Sequence, residues 1–273
     1  MTMISSCIRL PGIAAGIQTN DPAFARHLGK LFDLSPPVSL SESQIVYEAA
    51  KAENHWTVSH RDERLYVGGD LDAAIVALYG HLYEWFVPRS QHFLVHAGVV
   101  SQGDEAVIFV GAQESGKSTL TSVFVANGWR ALSDDVGALD SNVRRVFPYP
   151  RHLLLRPETL RRNPYLADAL EILHQLDAYG ELVFVTRPRR FTQPKPARLS
   201  MIVFPRWAQE AYAERLAPAV AAVRLMDNSL NLRFLGYRGV QMASAIAREC
   251  PAFDLYVKDP MDAVSLVQSI HTA

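Results

Sequence analysis

Ala106-Val107-Ile108-Phe109-Val110-Gly111-Ala112-Gln113-Glu114-Ser115-Gly116-Lys117-Ser118-Thr119-Leu120 is the stretch on which the reading of this chain turns. Five apolar residues in succession predict a buried strand that runs directly into Gly111. Thr119 to Ala126 predicts a helix, with Leu120, Val123 and Phe124 on one face and Asn127-Gly128 as its stop signal. Between strand and helix, Gly111 to Ser118 matches G-x-x-x-x-G-K-[ST], the Walker A or P-loop pattern, in full. Its glycines let the backbone turn tightly and bring N–H groups against phosphate oxygens. The helix that follows points its positive dipole end at the same anion. Lys117 is expected to reach the β- and γ-phosphates, and the Ser118 hydroxyl to coordinate Mg²⁺. The expected nucleotide-binding set is therefore Gly111, Ala112, Gln113, Glu114, Ser115, Gly116, Lys117, Ser118 and Thr119. Without nucleotide, Lys117 is expected to face solvent.

Downstream, Trp129-Arg130-Ala131-Leu132 predicts a short strand ending at Ser133-Asp134-Asp135, and Asp134 stands seventeen residues beyond Lys117. Two carboxylates beside a phosphate loop can divide the work, one holding Mg²⁺ and the other accepting a proton from an incoming hydroxyl. Side chains alternate along a strand, so both acids face the nucleotide only if the strand ends there, and Val136-Gly137 suits such an ending. Upstream, Phe93 to Val100 predicts a strand that carries His96. On composition alone His96 is a satisfied core residue. Farther along come an expected strand at Ser200 to Phe204, a helix near Gly239 to Glu249, a strand at Phe253 to Val257 and a closing helix from Met261. Alternating strands and helices predict an α/β domain.

The first part of the chain has a different texture. His55 to Ser59 and Arg64 to Val67 read as strands around the polar turn Arg61-Asp62-Glu63, and Gly68-Gly69 breaks the run. Asp70 can cap a helix in which Ile75, Leu78, Tyr79, Leu82, Trp85 and Phe86 recur at helical spacing until Pro88. We place a boundary there: an α+β region over 1–88, smaller than the α/β domain over 89–273.

Bulk properties narrow the function classes. The 273 residues are about half apolar and carry a net charge of −1, so no general field draws nucleic acid or an anionic membrane. Cys7 and Cys250 lack partners at metal-ligand spacing and read as reduced thiols of a cytoplasmic protein. Met1 to Asn20 lacks a charged leader followed by an apolar run. Leu71 to Val87, the most apolar stretch, contains Asp72, His81 and Glu84 and reads as a buried helix rather than a membrane span.

The combination of His96-Ala97-Gly98-Val99-Val100, the loop segment Val107 to Leu120, and Gly128-Trp129-Arg130-Ala131-Leu132-Ser133-Asp134-Asp135 resembles the catalytic core of HPr kinase/phosphorylase. It is more closely similar to the HPr-kinase-related proteins found with lasso-peptide precursors, which phosphorylate a serine near the precursor's C-terminus. Roughly forty residues carry the resemblance well. It implies a P-loop kinase core of HPr-kinase type with ATP and Mg²⁺ as cofactors, and a peptide or protein acceptor that offers a serine hydroxyl. Asp134 would be the general base, Lys117 and Ser118 would bind phosphate and metal, Asp135 would support the metal, and His96 would sit beside the site. The family also uses basic residues from a later loop, for which Arg187, Arg189 and Arg190 are the nearest candidates. HPr kinases assemble into rings, which leaves a homo-oligomer open; nothing in the residues demands it. Gln113 and Glu114 depart from the serine and glycine common in family loops, bringing an acid toward the phosphates. The glycine-rich segment associated with phosphorylase activity is not found. The region before Val87 is the natural place for acceptor recognition.

Competing readings share parts of this pattern. A glutamate in the loop is normal in heterotrimeric G-protein α subunits, and Asp134-Asp135-Val136-Gly137 can be read as D-x-x-G. The short gap after Lys117 leaves no room for a switch loop, however, and N-K-x-D is missing. An ABC-type ATPase fails for want of L-S-G-G-Q. A small-molecule kinase shares the parts list, and a nucleotide-dependent binding module would have no need of a base.

Overall fold

The computed structural model describes residues 3–36, 42–140, 144–178, 181–190 and 194–272. Its first half is built from β1 (Ile4–Leu10), β2 (Ile13–Thr19), α1 (Pro22–Leu31), β3 (Ile45–Ala52), β4 (His55–His60), β5 (Glu63–Gly68) and α2 (Leu71–Phe86). The central part runs through β6 (Phe93–Gln102), β7 (Glu105–Val110), α3 (Lys117–Ala126), β8 (Arg130–Ser133), β9 (Val136–Asp140), β10 (Arg145–Phe147) and β11 (Leu153–Leu155). Next along the chain are α4 (Pro157–Arg162), α5 (Leu166–Ala169), β12 (Leu170–Ala178), β13 (Glu181–Pro188), β14 (Ala197–Trp207) and β15 (Tyr212–Arg215). The chain closes with α6 (Pro218–Asp227), α7 (Leu232–Leu235), α8 (Tyr237–Glu249), β16 (Ala252–Val257) and α9 (Pro260–Thr272). The molecule is thus mixed α/β, with three sheets and nine helices among the described residues.

Strands β1 to β5 form one sheet in chain order. Asp21 caps α1 by accepting the Ala23 N–H at 3.0 Å, and Asp70 caps α2 by accepting from Asp72 and Ala73. Both helices turn their apolar stripes onto this sheet, where Phe24, Leu28, Ile75, Leu78, Leu82 and Phe86 are buried with Ile8, Ile17 and Tyr47. The same cluster continues across Pro88 into Leu94, Val136, Ala138, Tyr149 and Val185. Apolar packing therefore joins the first 88 residues to the larger part of the chain.

The largest sheet has the order β10-β9-β6-β7-β14-β16-β15, with β8 pairing β6 off this path. β7, β14 and β16 are mutually parallel, whereas β6 runs antiparallel to β7. β10 pairs both β9 and β14, which brings one edge of the sheet back toward its middle. Helices cover both faces. α3 and α9 pack on one, through Leu120, Val123, Phe124, Ala263 and Val267 against Val107, Phe109 and Val203. α6 and α8 pack on the other, through Leu225, Met242 and Ile246 against Ile108, Ile202 and Phe204. Two-residue alternation on buried parallel strands forces this, since each face of β7 and β14 is apolar. The small third sheet, β11-β13-β12, lends Leu153 and Leu155 to the α3 core and Leu176, Val183 and Val185 to the N-terminal one. At its margin His174, re-aimed by a bulge in β12, bonds Asp72 of α2 at 2.8 Å.

The strands and helices expected around the phosphate loop are found at their expected places, with shifted ends. α3 starts at Lys117, and the turn between β6 and β7 is reduced to Gly103-Asp104. No helix among the described residues is long and apolar enough to cross a membrane.

α3 approaches β6 closely because Gly98 has no side chain. A Cβ there would come to 2.2 Å of Thr121 Oγ1 and 3.3 Å of the Lys117 carbonyl. Gly98→Ala is therefore expected to cost about 1–3 kcal/mol by overpacking. Adding Thr121→Ala should recover part of the loss. Urea unfolding of the single and double variants checks both statements.

Candidate functional site

The loop after β7 is a tight strand-to-helix turn. Glu114 and Gly116 both have left-handed backbone conformations, at φ 66° and 93°. Such a conformation suits glycine at Gly116, where a Cβ would also meet the Trp207 indole at 2.8 Å. The Ser115 N–H closes the turn on the Ala112 carbonyl at 3.3 Å, and α3 begins immediately with Lys117 and Ser118. A helix start aimed in this way offers unpaired N–H groups and a positive dipole end to an anion.

These residues border an open cleft of about 700 Å³. Its lining includes Gln113, Glu114, Gly116, Lys117, Ser118 and Thr119 from the loop and helix, His96 from β6, and both acids. Gly111, Ala112 and Ser115 shape the loop without lining the cleft. The volume lies within the range typical of small-molecule sites.

Lys117 does not face solvent as expected. It is only 5% exposed, and its ammonium donates to the Ala112 carbonyl at 2.6 Å. The loop carbonyl and the nearby negative charges of Asp135 and Asp134 hold it inward. Burial lowers its pKa, and the two carboxylates oppose that shift.

The strand does end at the double aspartate, so that both acids reach the cleft. Asp134 and Asp135 form the corner between β8 and β9, both of which pair with β6. Ser133 Oγ accepts the Asp135 and Val136 amides, at 3.3 and 3.0 Å, and fixes that corner. The two carboxyls have unlike surroundings. Asp134 is buried; its Oδ2 accepts the Leu154 N–H at 2.9 Å, whereas Oδ1 has no hydrogen-bond partner among the described residues. Desolvation raises its pKa above the usual carboxylate value, against the opposing effects of Arg151, the Leu154 amide and the Ser118 hydroxyl. Asp135 pairs with His96 Nε2 at 2.8 Å and with Arg151 Nη2 at 3.2 Å. Burial alone would raise its pKa too, but Arg151, His96 and Lys117 outweigh it and hold the carboxyl well below the ordinary range.

His96 is thus brought into the site. Its strand is pinned from outside: the His96 N–H donates to the Asn228 carbonyl, and the buried Asn231 side chain bonds Leu94 and His92 at 3.0 and 2.9 Å.

The cationic side chains of the cleft differ from the three arginines expected of a later loop. Arg187 pairs with Glu171 on the neighbouring strand, Arg189 donates to the Ala167 carbonyl, and Arg190 lies with Asp33 and Trp129 at a separate small hollow. Arg151 and Arg156 line the cleft instead. They stand at the two ends of Arg151-His152-Leu153-Leu154-Leu155-Arg156, and a short apolar run bracketed by arginines is the signal that could have drawn notice. Arg151 is nearly buried, with its guanidinium donating to the Tyr79 hydroxyl of α2 at 3.0 Å. Arg156 forks onto Glu114 Oε1 at 3.1 Å from both terminal nitrogens. The loop acid is therefore paired with a cation rather than left facing the phosphate position.

A scan of the chain against protein-family models matches none, and no curated protein matches it either.

Asp134→Asn keeps the shape and the bond to Leu154 while removing a desolvated charge, so its melting temperature should rise, by about 2–4 °C per kcal/mol gained. Arg151→Met leaves both carboxylates poorly paired and should lose about 3–5 kcal/mol. Differential scanning calorimetry of the two variants at neutral pH tests the opposite signs.

Proposed function

We propose that this protein is an ATP- and Mg²⁺-dependent serine kinase acting on a peptide or protein acceptor, built on a P-loop core of HPr-kinase type. The observation that carries this reading is the split environment of Asp134 and Asp135 beside a complete phosphate loop. Adjacent titratable groups pushed apart in pKa are a common mark of divided acid–base labour. Asp134, with a raised pKa and an unpartnered Oδ1, suits a proton acceptor for the incoming hydroxyl. Asp135, kept ionised by Arg151 and His96, suits the support of a cation. Ser118, which acts on Asp134 from the first turn of α3, is the side chain that would ligate Mg²⁺ directly.

When bound, Mg²⁺ supplies charge neutralisation across the phosphates. The chain's own residues do the remainder. Loop amides and Lys117 hold the phosphates, Lys117 having only to leave the Ala112 carbonyl to do so. Arg151 is too firmly engaged to swing out; it orients Asp135. Arg156 fastens the loop through Glu114 and borders the same cleft. Catalysis would then rest on positioning and on electrostatic stabilisation of the transferred phosphoryl group. An acceptor serine near the C-terminus of a lasso-peptide precursor fits the resemblance, and residues 1–88 would recognise the acceptor. The protein would work in the cytoplasm, without nucleic acid.

A nucleotidase or a small-molecule kinase would use the same loop. Intact-mass spectrometry separates these readings, with the protein, ATP and Mg²⁺ incubated with a lasso precursor ending in serine or with HPr. A phosphoryl increment on one acceptor is expected. It should vanish with Lys117→Met and fall by roughly 10²- to 10⁴-fold with Asp134→Asn. Phosphotransfer that survives loss of Lys117 would defeat the mechanism, and ATP consumption without any acceptor product would favour the nucleotidase. Because Lys117 is buried, circular dichroism must first show that its variant is folded.

A further inference from the structure

We infer that Trp207, which stands against Gly116 just outside the lining of the cleft, forms its nucleobase subsite, as a stacking platform for a purine. This rests on the nucleotide-binding reading of the phosphate loop and adds a residue that the loop does not contain.

The order of elements along the sheet places it. β7, which leads into the loop, lies between β6 and β14. Asp134 and Asp135 come from the β6 side, since β8 and β9 both pair with β6. Trp207 ends β14 on the opposite side. Along the carboxyl ends of these strands the sequence in space is acids, loop, indole. A triphosphate that lies across the start of α3 with its terminal phosphate toward the acids must direct its nucleoside toward β14.

Side-chain alternation fixes which face the indole takes. Met201 and Val203 of β14 lie in the core beneath α3, and the period of two carries Pro205 and Trp207 to that same face. Val257 of β16, level with Trp207 in the parallel register, belongs to the α3 core as well. β14 continues past its last pair with β7, Val203 opposite Phe109, so Trp207 emerges level with the first turn of α3. There its indole packs on the backbone of Gly116, where even a Cβ would collide with Cζ2.

The residue is nevertheless 48% exposed. A large aromatic left half in water beside an anion-binding helix start, at the carboxyl end of parallel strands, stands where α/β folds bind ligands. It offers a base a π surface. Stacking of this kind tolerates different bases and favours the larger purines, so ATP and GTP should bind within a few-fold of each other.

The test compares the wild type, Trp207→Ala and Trp207→Phe by isothermal titration with Mg²⁺ complexes of ATP and of inorganic tripolyphosphate. Tripolyphosphate fills the phosphate positions and has no base. For Trp207→Ala the Kd for ATP should rise roughly tenfold and that for tripolyphosphate by less than about twofold, with Trp207→Phe retaining most of the ATP affinity. ATP and tripolyphosphate weakened together would mean that the indole only props the loop, and would overturn the subsite. So would unchanged ATP affinity in Trp207→Ala. A wild type that binds neither ligand would overturn the nucleotide-binding reading itself, and the subsite with it.

Discussion

Arg151 holds its guanidinium against Asp135 at 3.2 Å and against the Tyr79 hydroxyl at 3.0 Å, in surroundings that leave it little water. Its guanidinium carbon also lies over the Tyr79 ring, 5.3 Å from the centroid. Burial opposes a charge on Arg151, yet Tyr79, Asp135, Asp134 and Tyr149 together raise its pKa, so the cation is firmly kept. An ionised group is tolerable so deep in a protein only where opposite charge and hydrogen bonds meet it. Placement of the corner between β8 and β9, the strand β11 just after Arg151, and helix α2 is therefore tied to one guanidinium.

That tie connects the first 88 residues to the cleft. Tyr79 belongs to α2 and packs against the apolar cluster that joins this helix to the five-stranded sheet, while Asp135 belongs to the cleft. The segment after Tyr149 is held to α1 as well, since the His152 N–H donates to the Leu31 carbonyl at 2.8 Å. Residues 1–88 thus reach Asp135 through one intermediary, Arg151, which bonds both Tyr79 and the carboxylate. A displacement of α2 against β11 would alter the pairing of Asp135.

The acids illustrate how adjacent residues acquire different chemistry. Asp134 and Asp135 are chemically identical neighbours in the chain. The end of β8 turns one carboxyl inward, under Leu154 and Ser118, and the other toward His96 and Arg151. Desolvation dominates for Asp134, and paired charge dominates for Asp135. One protein corner thereby provides a carboxyl that resists ionisation and one that resists protonation.

The local elements around the loop were legible from residue pattern because they depend on short-range rules. Five apolar residues make β7, the glycines and Lys117 make the loop, and helical spacing makes α3 and α2. The double aspartate could be recognised from its distance to Lys117. The N-terminal strands β1 and β2 carry too weak an alternation to announce themselves, β10 and β11 are only three residues long, and β12 and β13 mix charged and apolar residues without a clear period. Which cations enter the cleft was beyond local pattern altogether. Arg187, Arg189 and Arg190 look the more basic in sequence, but strand pairing gives Arg187 to Glu171, and chain folding brings Arg151 to Asp135 and Arg156 to Glu114. The inward turn of Lys117 and the approach of Trp207 to Gly116 were likewise decided in three dimensions. Sequence by itself determined that a complete Walker A pattern and two nearby carboxylates exist, since backbone geometry and residue chemistry are local. Tertiary structure decided their charges, partners and exposure, because desolvation and Coulomb pairing depend on what the rest of the chain places around them.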